Sequence, residues 1–181
     1  MRQLKPCVFF DRDGIVNLPP AAGKRYIERP EEFEIRPEFL EALRVVNGRG
    51  YAAVIVTNQK GVATGQIKPD DLLAIHRRLL DMVLRHDAHL LDILVSTTAD
   101  DADPSRKPNP GLLLAAAKDH ALDLSRSWMI GDHVRDIEAG RRAGCRTVFV
   151  GTHAPDEADF QVPDMAALVA FLFEHLEPAA G

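Results

Sequence analysis

Cysteine is scarce. Cys7 and Cys145 are the only two in 181 residues, and neither has a thiol or histidine at metal-ligand spacing. That excludes a disulfide-built scaffold and leads us to expect reduced thiols in a cytoplasmic protein. Aromatic residues make up only 6% of the chain and are not interleaved with basic ones, and the formal net charge is −5. Such a chain has no overall attraction for polyanions, so no nucleic-acid partner is expected. No apolar run approaches the ~20 residues that span a bilayer, so no membrane partner is expected either. From Met1 to Gly14 a short apolar run leads directly into carboxylates, unlike a secretory leader. Repeats, low-complexity tracts and linkers are also missing.

What remains is an ordinary globular mixture, 46% hydrophobic and 27% charged. At roughly 150 residues per domain, residues 1–181 are expected to form a single domain. Short apolar runs alternate with longer amphipathic ones. Strands are expected at Cys7–Phe10, Tyr51–Val56, Asp92–Ser96, Ser127–Ile130 and Arg146–Val150. Between them lie helical patterns. One starts at Pro37 and stops at Asn47-Gly48 through a left-handed residue. The next opens at Pro69. A third has Asn109 as N-cap with Pro110 at its first position. A short helix runs to Gly144, and Pro163 to Leu176 closes the chain. Strand–helix alternation implies a parallel sheet covered on both faces, an α/β fold of about five strands.

Sheets of this kind bind ligands outside the carboxyl ends of their strands. The residues just beyond those ends are therefore the ones to inspect. Asp11 and Asp13 are two apart, which in extended chain sends both side chains to one side and Arg12 to the other. Asp132 and Asp136 are four apart, one helical turn. Carboxylates gathered on one edge repel each other, and a hard, oxygen-seeking cation such as Mg²⁺ relieves that repulsion. Against them stand Thr57 and Asn58 after the second strand, and Arg106 and Lys107 before a proline. A phosphoryl group would satisfy metal, hydroxyl and ammonium together. Each residue alone has a plain structural reading, because turns are rich in aspartate and surfaces in lysine. The order Asp pair, Thr-Asn, Lys-Pro, Gly-Asp is what carries the functional reading.

In the segments Phe9–Gly14, Val56–Gly61, Arg106–Pro108 and Ile130–Asp136, taken in that order, the sequence resembles the haloacid-dehalogenase-like (HAD) phosphohydrolases. The likeness runs from about Val8 to Val150. The Asp-Arg-Asp-Gly, Thr-Asn-Gln and Arg-Lys-Pro wording is nearest the branch of heptose bisphosphate phosphatases and histidinol phosphatases. Polynucleotide 3′-phosphatases share Thr-Asn-Gln. The resemblance implies a Rossmann-like three-layer sandwich and a magnesium-dependent phosphatase acting on a small phosphorylated metabolite. A heptose bisphosphate is the first expectation for substrate, histidinol phosphate the second and a nucleic-acid 3′-phosphate the third. In the roles it implies, Asp11 is the nucleophile, and Asp13 is general acid and then general base. Thr57 and Lys107 hold and neutralise the phosphoryl group. Asp11, Asp132 and the Asp13 backbone carbonyl bind magnesium, supported by Asp136. Asn58, Gln59 and Arg106 are expected to contact substrate. Asp13, beside another carboxylate, is expected to favour its protonated form.

The sequence departs from this pattern in places. Heptose bisphosphate phosphatases usually carry a zinc-binding loop of cysteines and a histidine before Arg-Lys-Pro. Here Thr97–Ser105 has neither residue type, so no structural zinc is expected. The gaps after the first and third strands are too short for a cap domain. The site should therefore be open, and the loop Asn17–Arg29, through Lys24, Arg25 and Tyr26, is expected to grip the rest of the substrate. Lys60 has two readings, a contact to a second phosphate and a solvated surface cation, and His133 either lines the site or does not. His86 and His89 are read as solvated. A monomer or weak homodimer is expected. The rival from another class is a phospho-accepting receiver-type domain, but that would need an aspartate after the third strand, where Ser96-Thr97-Thr98 stand.

Overall fold

The structure, a computed structural model, describes residues 4–179. Six parallel strands form one sheet: β1 (Cys7–Phe10), β2 (Ala52–Asn58), β3 (Asp92–Ser96), β4 (Trp128–Gly131), β5 (Arg146–Val150) and β6 (Phe160–Val162). Their spatial order is β3-β2-β1-β4-β5-β6. The chain fills one side of β1 first, then crosses to the other. A crevice therefore opens where the winding reverses, between the carboxyl ends of β1, β2 and β4. Register places Phe10 of β1 beside Ile55 of β2 and Ile130 of β4. The three loops that follow consequently start at one level.

Successive strand residues point to opposite faces, and this sorts the core into two layers. Val8, Phe10, Ala53 and Ile55 pack with α1 (Pro37–Gly48), α2 (Pro69–Arg85) and α5 (Met165–His175), through Phe39, Leu43, Ile75, Leu79, Leu168 and Leu172. Cys7, Phe9, Val54 and Val56 pack with α3 (Gly111–His120) and α4 (Val134–Ala143), through Leu113, Ala116, Ala139 and Ala143. The result is the three-layer α/β sandwich that strand–helix alternation implies. Both cysteines are buried and free.

Three local details differ from expectation. A sixth strand of three residues extends the sheet; it is too short, with Gln161 at its centre, to show a two-residue alternation. Helix α1 runs to Gly48, but the left-handed residue that turns the chain is Gly50, at φ +81°. Pro110 precedes α3 rather than opening it, and the Asn109 amide instead donates to the carbonyls of Asp101 and Asp103. Residues 11–36 hold only a single 3-10 turn, Pro30–Glu32, and residues 97–110 hold no helix or strand. Loops, the end of β2 and the first turn of α4 rim the crevice.

Candidate active site

Asp11 is the first residue past β1, and its backbone N–H still donates to Ile130 of β4, at 2.9 Å. Its carboxylate is thereby held at the centre of the crevice. Gly14 follows at φ +93°, a conformation that suits glycine, and a Cβ there would run into the Asp132 carboxylate. The chain can bring the first loop against Asp132 only because residue 14 has no side chain.

Lys107 is the electrostatic hub. Its ammonium group, with the residue only 2% exposed, donates to Asp11 Oδ1 at 2.6 Å and to the Val56 carbonyl at 2.8 Å, and pairs with Asp136 Oδ1 at 2.7 Å. Asn58 fixes the lysine backbone from β2: its Oδ1 accepts from Lys107 N–H and its Nδ2 donates to the Lys107 carbonyl. Asn58 lines the crevice but spends its amide on this clamp. Asp136, fully buried in the first turn of α4, also accepts from His133 N–H, and His133 Nδ1 accepts from Arg135 N–H, so the pair closes a reciprocal cap.

Asp11, Asp132 and Asp136 each offer a carboxylate oxygen, and the three lie within 4.8 Å of one another. Three carboxylates face one ammonium. Burial and the neighbouring Asp136 push Asp11 up to about 7 and Asp132 up to about 6. Lys107 is raised as well: burial alone would lower it, but Asp11 and Asp136 outweigh burial and hold its pKa above the ordinary lysine value. Surplus negative charge on oxygen donors alone, from one buried, one half-buried and one exposed carboxylate, is a donor set that fits a hard divalent cation.

Asp13 corrects an expectation. Burial would raise its pKa, but the Arg12 charge and hydrogen bonds, with those from Gln59 and Asn17, override burial and hold it below the ordinary carboxylate range. Arg12 does not point away. It is fully buried and folds back onto the Asp13 carboxylate, 2.8 Å from Nη2 to Oδ1. Sequence spacing gives the alternation of Cα–Cβ directions, whereas a long side chain in a turn bends back to the nearest opposite charge.

The crevice, about 210 Å³, is lined by Asp11, Asp13, Thr57, Asn58, Lys107, Asp132, His133 and Arg135. Thr57 is buried with its hydroxyl accepting from Gln59 Nε2 at 2.9 Å. Other expected substrate contacts lie elsewhere. Arg106 turns to Asp101 at 2.7 Å, Gln59 reaches Asp13, and Lys24 pairs with Glu32 at 2.6 Å. Lys24, Arg25 and Tyr26 are not among the lining residues; Tyr26 lies against Gly61. Arg135 was missed in the sequence, although it sits between two flagged aspartates in the first turn of a helix. The loop 97–110 is tied by its own side chains, Asp103 to Ser105 and Ser105 to Ser96.

Comparison with known proteins agrees with this geometry. The family model for HAD-hydrolase-like proteins matches residues 104–176. The D-glycero-D-manno-heptose-1,7-bisphosphate 7-phosphatase of Thermosynechococcus vestitus is 34% identical over 96% of this chain and 98% of its own length. The D-glycero-beta-D-manno-heptose-1,7-bisphosphate 7-phosphatase of Pseudomonas aeruginosa is 33% identical over 80% of each. Among solved structures, the D,D-heptose 1,7-bisphosphate phosphatase of B. bronchiseptica, complexed with magnesium and phosphate, superposes with a TM-score of 0.82 at 27% identity, covering 93% of this chain and 98% of that one. The sheet order and the carboxylate–lysine crevice fit a phosphoric-monoester hydrolase, and the relatives show that class. The chain belongs to the HAD-like hydrolase family, in the branch that holds the heptose bisphosphate phosphatases. That excludes the receiver-type reading.

Proposed function

We propose that this phosphatase removes one phosphate from a heptose bisphosphate-type sugar through an aspartyl-phosphate at Asp11, with magnesium as cofactor. Supporting the substrate class are the relatives just named. Supporting the chemistry is one arrangement above all: the Lys107 ammonium between Asp11 and Asp136, 2.6 and 2.7 Å away. A carboxylate nucleophile approaches a phosphate dianion only after cations have cancelled part of the charge.

Asp11 and Asp132, with the Asp13 backbone carbonyl, would hold the ion, and Asp136 would steady that shell. When bound, magnesium supplies charge neutralisation and a template for the phosphoryl oxygens. The residues of the chain do the rest. Thr57 and Lys107 donate to the phosphoryl oxygens and orient the phosphorus toward Asp11. The Asp11 carboxylate oxygen forms the new bond to phosphorus while the bond to the sugar oxygen breaks; Asp13, a carboxylate in the free protein, takes up the proton of the bound phosphate monoanion and gives it to that leaving oxygen. Water then attacks the same phosphorus, its proton passes to Asp13, and the Asp11–phosphorus bond breaks. Inorganic phosphate leaves with that proton, and Asp11 and Asp13 are carboxylates again.

For the remainder of the substrate, Arg135 and His133 are the cationic and polar groups on the crevice wall. Arg25 and Tyr26 complete the reading in which the loop 17–29 contributes. We read residues 1–181 as one catalytic unit. Among the described residues no helix is long and apolar enough to cross a membrane.

A screen of phosphorylated metabolites with purified protein and magnesium, read as phosphate release, tests the substrate. Heptose 1,7-bisphosphate should give the highest kcat/KM. A tenfold preference for histidinol phosphate or a 3′-phosphorylated oligonucleotide would overturn the assignment.

A further inference from the structure

We propose that Arg12, with Asn17 and Gln59, is a positioning residue: the three form a buried clamp that aims the Asp13 carboxylate at the leaving-group oxygen. The inference rests on the reading of Asp13 as the acid in phosphoryl transfer to Asp11.

Five hydrogen bonds reach this one carboxylate. Oδ1 accepts from Arg12 Nε at 3.1 Å, Arg12 Nη2 at 2.8 Å and Asn17 Nδ2 at 3.1 Å. Oδ2 accepts from Arg12 Nη2 at 3.0 Å and Gln59 Nε2 at 2.9 Å. Arg12, Asn17 and Gln59 are all 0% exposed, whereas the Asp13 side chain is 30% exposed and lines the crevice. The donors thus sit behind Asp13 and leave its front to the substrate.

A second observation is independent of those distances. Asn17 Oδ1 and Gln59 Oε1 are buried and without a hydrogen-bond partner among the described residues. A buried amide oxygen left unpaired is unfavourable and calls for a reason. Here both amides turn their NH₂ groups to Asp13, that of Asn17 donating also to the Leu18 carbonyl and that of Gln59 to the Thr57 hydroxyl, and their oxygens go unpaired in consequence. The clamp thus spends amide donors on the carboxylate while leaving two buried amide oxygens unpaired. Behind Arg12, His76 Nε2 of α2 lies 3.4 Å from Nη1. Burial and the Arg12 charge lower His76 to about 4, which leaves its ring neutral beside the guanidinium. The consequence for catalysis is orientational: an acid displaced by as little as 1 Å can lose on the order of 10²-fold in rate.

Aryl phosphates of one shape and different leaving-group acidity test this, because kcat/KM reports only the steps through phosphoryl transfer to Asp11. p-Nitrophenolate leaves with little help from an acid, whereas phenolate needs a proton more. Wild type, Asp13→Asn, Arg12→Lys and Gln59→Leu are compared on p-nitrophenyl phosphate and phenyl phosphate with magnesium present, using protein whose circular dichroism matches wild type. In Arg12→Lys and Gln59→Leu the ratio of kcat/KM values, p-nitrophenyl over phenyl, should rise at least about tenfold, in the same direction as in Asp13→Asn. A purely structural role would lower both substrates alike and leave the ratio unchanged. If Asp13→Asn raises the ratio and the clamp variants do not, the positioning role is wrong. If Asp13→Asn itself leaves the ratio at the wild-type value, the acid assignment fails and takes the inference with it. Should Arg12→Lys not fold, Gln59→Leu decides alone, since it removes a donor that lies past β2 rather than past β1.

Discussion

Lys107 Nζ lies 2.6 Å from Asp11 Oδ1 and 2.7 Å from Asp136 Oδ1, so one buried ammonium separates two carboxylates that would otherwise face each other. Stability and catalysis both pass through this contact.

Replacing the lysine should therefore damage both. Lys107→Met leaves Asp11 and Asp136 without their cation inside the protein, and removing one partner of a buried pair costs about 3–5 kcal/mol. Urea denaturation of the metal-free variant should show a loss of that size, accompanied by loss of turnover. Lys107→Arg should not restore activity, because a planar guanidinium cannot point at Asp11, Asp136 and the Val56 carbonyl from one atom as the ammonium does. An active, fully stable Lys107→Met would refute the central charge arrangement.

The raised carboxylates give magnesium binding a definite pH dependence. Asp11, at about 7, and Asp132, at about 6, both lie above the ordinary 3.8. Between about pH 4 and 7 the metal-free folded protein binds more protons at these sites than the unfolded chain. The contribution of these sites to stability accordingly falls as pH rises through that window. Magnesium must displace those protons at pH 5 and need not at pH 8. Differential scanning calorimetry should show a larger magnesium-induced rise in Tm at pH 8 than at pH 5. An equal or inverted shift would mean that these carboxylates do not hold the ion.

Gly14 predicts a defect confined to the site. Gly14→Ala puts a Cβ against the Asp132 carboxylate and strains a residue at φ +93°, a backbone penalty of about 1–3 kcal/mol. The magnesium concentration giving half-maximal activity should increase at least about fivefold, beyond what the modest stability loss explains. Unchanged magnesium dependence, measured by titrating activity, would show that Asp132 can retreat freely.

Much of this molecule was legible in its sequence because most of the strands are short, largely apolar and bounded by sharp polarity changes. Phe10 to Asp11 and Ile130 to Asp132 are such edges, and they located the crevice. The order of Asp11, Thr57, Lys107 and Asp132 brought together residues that share a wall of it. Long side chains were less readable. Arg12, Gln59, Lys24 and Arg106 each have a polar end that travels far from its Cα, and each goes to a partner set by the fold: Asp13, Asp13 again, Glu32 and Asp101, while the short Asn58 amide goes to the Lys107 backbone that the fold brings beside it. Arg135 was missed for the same reason, since only the start of α4 at Val134 turns it to the crevice. The lowered pKa of Asp13 was unreadable without knowing where the Arg12 guanidinium ends.

The identity of the nucleophile is tested most directly by trapping. Turnover of p-nitrophenyl phosphate with magnesium is quenched in acid, the protein is reduced with borohydride, and its peptides are mapped by mass spectrometry. An acyl phosphate at Asp11 would be reduced to homoserine at position 11, only in samples that received substrate and not in Asp11→Asn. Reduction at another carboxylate, or none under conditions of demonstrated turnover, would contradict the account.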